Sequence, residues 1–260
     1  MKRLFMAVAM LVVAVSALVA QDSYYNKRVF KVGNDSLPYR ELVPQKMSQD
    51  VDYPLVIFLH GAGERGVDNE KQLTHGAQMF LNPINREKYK AYVLFPQCPK
   101  DGYWAYDARP QSFVPDSMPI QEEPTTQVKL LRGLILNYVK NYNVDPDRVY
   151  IMGLSMGGMA VYDMVARYPQ LFAAAVPICG TVNPERLKDV KGVKFRIYHG
   201  DADNVVTVEG SRHAYLELKK HHVNVNYFEF PGITHGSWVQ AFNDPELLKW
   251  MFKCIRPGKD

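Results

Sequence analysis

Gly153-Leu154-Ser155-Met156-Gly157 sets a hydroxyl between two glycines, directly after the apolar run 149–152 and directly before a stretch with helical spacing. In that strand–turn–helix setting the pattern is a nucleophile elbow. A tight turn lifts the serine above a sheet, and glycine two positions to either side leaves room for the crowded backbone. A serine hydroxyl attacks a carbonyl only when a base removes its proton. His235, in Gly232-Ile233-Thr234-His235-Gly236-Ser237-Trp238 beyond the last apolar run, is the candidate base. The group that orients the base should fall between them, in the order Ser…Asp…His. His199-Gly200-Asp201-Ala202-Asp203 supplies two carboxylates there. Asp203, deeper in the turn and just ahead of Val205-Val206, is the assignment; Asp201 is the alternative.

The tetrahedral intermediate of such an attack carries an oxyanion that needs two backbone donors. The N–H of Met156, next after the nucleophile, is one. The other should come from the loop after an earlier strand. His60-Gly61-Ala62-Gly63-Glu64-Arg65-Gly66 fits, with Ala62 as the donor, while Glu64, Arg65, Asp68 and Asn69 are expected to pin the loop. His213, His221 and His222 fall on or beside a solvated helix face. His221-His222 lacks the carboxylate or cysteine companions of a metal site. Cys98, Cys179 and Cys254 match no zinc spacing and read as buried free thiols, one long-range disulfide remaining open. The chemistry requires neither metal nor organic cofactor.

The elements that must hold these groups follow from the apolar pattern. Residues 28–43 alternate around Gly33-Asn34-Asp35 and read as an antiparallel hairpin. The run 55–59 is almost unbroken, as in a parallel strand covered on both faces, and similar runs recur at 91–95, 149–152 and 172–178. Partly alternating strands follow at 193–198 and 223–230. Between them lie helices: one after Pro124, capped by Thr125 or Thr126 and striped by Val128, Leu131, Ile135 and Tyr138, and others at 155–168, 207–221 and 244–254. This alternation implies an α/β fold with a mostly parallel central sheet and helices on both faces. Residues 97–124 break the rhythm with prolines and with Tyr103, Trp104, Tyr106 and Phe113; a loop this long is expected to shape or cover a site. Trp104 and Trp238 are the candidate stacking surfaces for a substrate ring.

Lys2 and Arg3 precede an apolar run from 4 to 20 broken only by Ser16, and no basic flank follows. Residues 1–20 therefore read as a cleaved signal peptide rather than an anchor, leaving one catalytic domain, 21–260, that is secreted or periplasmic with no membrane span. Of 260 residues 47% are apolar and 22% charged, ordinary globular proportions. The net charge is +4, of which the leader carries two. That small excess, with no basic stripe, argues against nucleic acid as a partner.

Taken together, Leu59 through Gly66, Pro96-Gln97-Cys98-Pro99 with Trp104, Gly153 through Gly158, Asp203 and His235-Gly236-Ser237-Trp238 resemble the α/β-hydrolase superfamily over nearly the whole mature length. Within it the chain is similar to secreted carboxylesterases of the feruloyl and acetyl-xylan esterase type. These overlap with a group described as predicted peptidases or polyhydroxybutyrate-depolymerase-like esterases. The resemblance implies an α/β-hydrolase fold, Ser155, Asp203 and His235 as nucleophile, acid and base, and an acyl ester on a plant polysaccharide as substrate. Competing expectations are a serine peptidase of the prolyl-oligopeptidase type, a lipid or thioester hydrolase, and a binding protein that keeps the hydrolase shell. Against the peptidase, residues 21–53 are too few for an access-restricting domain ahead of the first buried strand.

Overall fold

The computed structural model describes residues 24–257; the expected leader, 1–20, lies outside the described residues. Its centre is β3 (Tyr53–Leu59), where every residue is buried. Leu55, Ile57 and Leu59 enter the core on one face of the sheet and Val56 and Phe58 the core on the other. Burial on both faces is why that run shows no polar alternation.

Around it are β1 (Asn26–Val32), β2 (Asp35–Leu42), β4 (Tyr92–Pro96), β5 (Val144–Leu154), β6 (Ala174–Ile178), β7 (Lys194–Gly200) and β8 (Val225–Phe230). They form one eight-stranded sheet in the order β1-β2-β4-β3-β5-β6-β7-β8. β1 and β2 form an antiparallel hairpin with Val32 opposite Asp35, so the turn is only Gly33-Asn34, and Gly33 takes φ +59°. β2 runs antiparallel to β4. Every later pairing is parallel.

The α-helices that lie wholly within the described residues are α1 (Ala77–Leu81), α2 (Pro83–Lys88), α3 (Thr126–Asn141), α4 (Met156–Arg167), α5 (Glu209–Lys220), α6 (Trp238–Asn243) and α7 (Glu246–Met251). Apolar side chains of α3, α4 and α5 pack on one face of the sheet, and those of α1, α6 and α7 on the other. The Thr125 side chain caps α3, its Oγ1 accepting from the Val128 N–H at 3.1 Å. α1, α2 and α6 are one to two turns long, too short to show a period in sequence. β5 begins five residues before its apolar run: Tyr53 pairs with Val144, and a register shift precedes the Leu55–Val149 pair. Asp145-Pro146-Asp147 hid that extension.

The segment 97–124 holds a single 3-10 turn, Pro115–Ser117, among the described residues. It is nonetheless anchored, because Trp104, Tyr106 and Met118 pack into the α3 side of the core. The Thr125 hydroxyl also donates to the Trp104 carbonyl at 2.6 Å. Cys98, Cys179 and Cys254 are all free and buried. Among the described residues no helix is long and apolar enough to cross a membrane.

Candidate active site

Ser155 stands where β5 ends and α4 begins, at φ 53° and ψ −118°. A non-glycine residue there is strained by roughly 1–3 kcal/mol. Two backbone bonds hold it, from the Ser155 N–H to the Ile178 carbonyl at 2.8 Å and from the Met159 N–H to the Ser155 carbonyl at 3.0 Å. The flanking glycines are steric requirements. A Cβ on Gly157 would lie 2.0 Å from the Leu59 carbonyl oxygen, and one on Gly153 would lie 2.7 Å from the Gly157 backbone.

His235 lies in the loop between β8 and α6. Its Nε2 is 2.9 Å from Ser155 Oγ, and its Nδ1 is 2.7 Å from Asp203 Oδ2. With Nδ1–H given to a carboxylate, Nε2 carries the lone pair, so the serine hydroxyl donates to it. The Asp203 side chain is fully buried in the turn after β7. Its Oδ1 accepts from the N–H groups of Val205 and Val206 at 2.9 and 3.0 Å. Burial pushes its pKa up, but the bonds from His199, His235, Val206 and Val205 outweigh that and hold the carboxyl well below the usual carboxylate range. Asp201, the sequence alternative, makes no hydrogen bond or ion pair with His235 among the described residues. It accepts from the Gly232 N–H at 2.6 Å and so ties the β7 turn to the loop that carries His235.

His199 is a member of the arrangement that sequence reasoning missed. Fully buried at the end of β7, it directs Nε2 at Asp203 Oδ2, 3.1 Å away, and at the Val206 carbonyl, 3.0 Å away. Both are acceptors, so Nε2 carries the proton and Nδ1 accepts from the Ser211 hydroxyl at 2.7 Å. The available signal was a histidine closing an apolar strand four residues before the carboxylate, a pattern shared with structural core histidines.

Ala62 opens the 3-10 turn Ala62–Glu64 and Met156 opens α4. Being first in their turns, their N–H groups have no intrahelical acceptor, and no other described backbone group takes them. A methyl on Gly61 would stand 3.7 Å from Ser155 Cβ, which measures how closely this loop approaches the hydroxyl. The loop is pinned from behind. His60 Nε2 accepts from the Cys98 N–H at 3.0 Å, and its Nδ1–H donates to the Gly61 carbonyl at 2.6 Å. Burial pushes the His60 imidazole down to about 4, so it is neutral at pH 7. Arg65 donates to the Ala62 and Gly102 carbonyls, Asp68 accepts from the Glu70 and Lys71 N–H groups, and the Asn69 N–H donates to Gln97. Glu64 also pins the loop, its carbonyl accepting from Gln97 Nε2 at 3.1 Å, while the residue lines the cavity as well.

Ser155 and His235 open into a cavity of about 240 Å³. Tyr103 and Phe113 from the 97–124 segment form part of its wall, and Trp238 at the start of α6 forms another part. The Arg109 guanidinium covers the Phe113 ring at 5.4 Å. Trp104 corrects the sequence reading. It is 0% exposed and cannot meet a substrate; its indole N–H donates to the His60 carbonyl at 3.1 Å. In an aperiodic stretch, core and cavity aromatics look alike, and only the packing partners separate them. Among the described residues, Cys179, Asp203 and His235 form a group whose donor atoms lie within 4.8 Å of one another. Asp203 and His235 are already bonded to each other, and burial pushes the Cys179 thiol well above its ordinary pKa, so the set is poorly suited to a resident cation.

Comparison with known proteins follows the same lines. Residues 107–244, more than half of the chain, match the model of the Dienelactone hydrolase family. Poly(3-hydroxyalkanoate) depolymerase C of Paucimonas lemoignei is 29% identical over 183 residues, covering 68% of this chain and 38% of that protein. A probable acetylxylan esterase A of Aspergillus fumigatus is 31% identical over 94 residues, 36% of this chain and 24% of that one. The crystal structure of a thermostable esterase superposes with a TM-score of 0.82 at 33% identity, over 90% of this chain and 64% of that one. The chain thus spans less than two thirds of the length of each of these three relatives.

Proposed function

The chain belongs to the Dienelactone hydrolase family of α/β-hydrolases, and from that premise we propose that it is a serine carboxylesterase working through an acyl-enzyme. The observation that carries this reading is the unbroken chain of hydrogen bonds from Ser155 Oγ through His235 to Asp203 at the head of a cavity. His235 Nε2 takes the hydroxyl proton as Ser155 Oγ bonds to the ester carbonyl carbon. The resulting oxyanion is received by the N–H groups of Ala62 and Met156, each worth about 3 kcal/mol in the transition state. The imidazolium, oriented by Asp203, then protonates the leaving alcohol. Water repeats the sequence to release the acid.

The substrate we infer is a carbohydrate ester carrying an acetyl or feruloyl group. Its support is the sequence resemblance, the acetylxylan esterase relative and the aromatic cavity wall of Tyr103, Phe113 and Trp238. Export by a leader at 1–20, giving a secreted or periplasmic enzyme, belongs to the same reading and rests on the sequence pattern. N-terminal sequencing of the protein recovered outside the cytoplasm tests it, with residue 21 expected first.

Parallel assays on p-nitrophenyl acetate, methyl ferulate and a dipeptide nitroanilide test the reaction class. Ester cleavage should dominate, and a fluorophosphonate should label Ser155. Nitroanilide cleavage as fast as ester cleavage would make the protein a peptidase. A folded protein that is neither labelled nor active would make it a binding protein.

A further inference from the structure

Glu64 presents a carboxylate to the cavity that no protein group among the described residues satisfies by a hydrogen bond. Its side chain is only 14% exposed and lines the cavity together with Ser155. Its one ionisable partner within 4 Å among the described residues is His75, whose Nε2 lies 3.7 Å from Oε1, beyond hydrogen-bond reach. A carboxylate on a cavity wall with no protein donor takes its hydrogen bonds from whatever fills the cavity, in contrast to the buried Asp203, which is met by protein donors. Left short of donors on a cavity wall, Glu64 is built to receive them from a ligand. The surroundings continue the theme. The His75 ring lies 5.1 Å from the partly exposed indole of Trp238, which meets the His235 ring edge-on at 5.6 Å. A strong acceptor, an imidazole and an aromatic face therefore run in sequence from Glu64 to the group bonded to Ser155.

We propose that Glu64, His75 and Trp238 form the subsite for the departing alcohol, and that this alcohol is a neutral polyol, a sugar ring with adjacent hydroxyls. The proposal rests on the esterase reading above. In acyl transfer the leaving oxygen takes its proton from the Nε2 of His235, so the departing group lies along the wall that continues from that ring. Adjacent hydroxyls match the pair: one donates to the Glu64 carboxylate while its neighbour exchanges a hydrogen bond with His75. The C–H face of the ring lies against Trp238. A cationic alcohol fits less well, because Arg109 lines the same cavity and His75 adds positive charge whenever it is protonated.

The test compares kcat/KM of the wild type, Glu64→Gln and His75→Ala on three acetate esters: an acetylated xylo-oligosaccharide, p-nitrophenyl acetate and acetylcholine. Glu64→Gln should lower the ratio of sugar-ester to p-nitrophenyl-ester activity at least tenfold, and His75→Ala should lower it in the same direction. His75→Ala carries the test where Glu64→Gln fails to fold. An unchanged ratio in both variants overturns the subsite, as does a wild-type preference for acetylcholine over the sugar ester. Wild-type cleavage of p-nitrophenyl acetate without cleavage of the sugar ester also overturns it, while leaving the esterase reading intact. A folded wild type that cleaves none of the three overturns the esterase reading itself.

Discussion

His199 directs its buried Nε2–H at Asp203 Oδ2 from 3.1 Å, the same oxygen that receives His235 Nδ1 at 2.7 Å. One carboxylate oxygen thus serves two imidazoles, one leading to Ser155 and the other leading into the core at Ser211. The second imidazole fixes where Oδ2 stands and draws electron density away from it.

Replacing His199 by Ala therefore acts on the rate through Asp203. Losing a bond to a charged group of about 1.5–3 kcal/mol should lower kcat/KM by roughly 10- to 100-fold. The sign of the pH effect distinguishes positioning from mere loosening. With one donor gone, Asp203 loses part of what holds its carboxyl below the usual carboxylate range, so the acidic limb of the pH–rate profile should move to higher pH. A uniform loss at every pH, with the limb unmoved, would mean that His199 only packs.

Asp203→Asn should lower kcat by about 10⁴-fold, because an amide in that place favours the wrong imidazole tautomer. Asp201→Asn weakens one exposed bond to the Gly232 N–H, about 1 kcal/mol, and should cost less than about tenfold. Steady-state kinetics on p-nitrophenyl acetate decide between them. A larger loss at Asp201 would reassign the acid.

Ser155→Ala should abolish turnover and leave the fold in place, since the elbow accepts a smaller side chain. Ser155→Gly should also be inactive but more stable than Ser155→Ala by about 1 kcal/mol, because φ 53° strains any residue with a Cβ. Urea denaturation of the two variants measures the difference. Equal midpoints and slopes would mean that the elbow stores no such strain.

His60 couples the oxyanion loop to pH through stability. Its folded pKa, about 4, lies below the ordinary 6.5, so between those values the unfolded chain binds a proton that the native state excludes. Stability must then fall as pH drops from 6.5 toward 4, by up to about 3 kcal/mol from this group. Denaturant titrations across that window should show the slope, and His60→Gln should flatten it. A wild type equally stable at both ends would remove His60 as a buried neutral imidazole.

The local features of this chain were legible because their causes are local. The Ser155 turn demands glycines at 153 and 157 against the Leu59 carbonyl and against each other's backbone, and those glycines are written beside the serine. The two-faced burial of β3 erases polar alternation within seven residues, and the Thr125 cap announces α3. The short helices α1, α2 and α6 were not legible, since one or two turns carry no period. The Val144 end of β5 was masked by Asp145-Pro146-Asp147 and is held by its pairing with Tyr53.

By itself, then, the amino-acid sequence determined the strand–elbow–helix unit, the hairpin, the parallel core and a short set of reactive side chains. Each of these follows from sterics or burial within a few neighbouring residues. The structure places Asp203, the carboxylate already preferred in the sequence, against His235. Tertiary structure alone decided that His199 shares that carboxylate, and that Trp238 faces the cavity while Trp104 lies in the core. It also left the Glu64 carboxylate with no protein donor among the described residues. Such choices depend on how strand ends distant in the chain align at one edge of the sheet, where a shift of two residues in a turn exchanges one carboxylate for another.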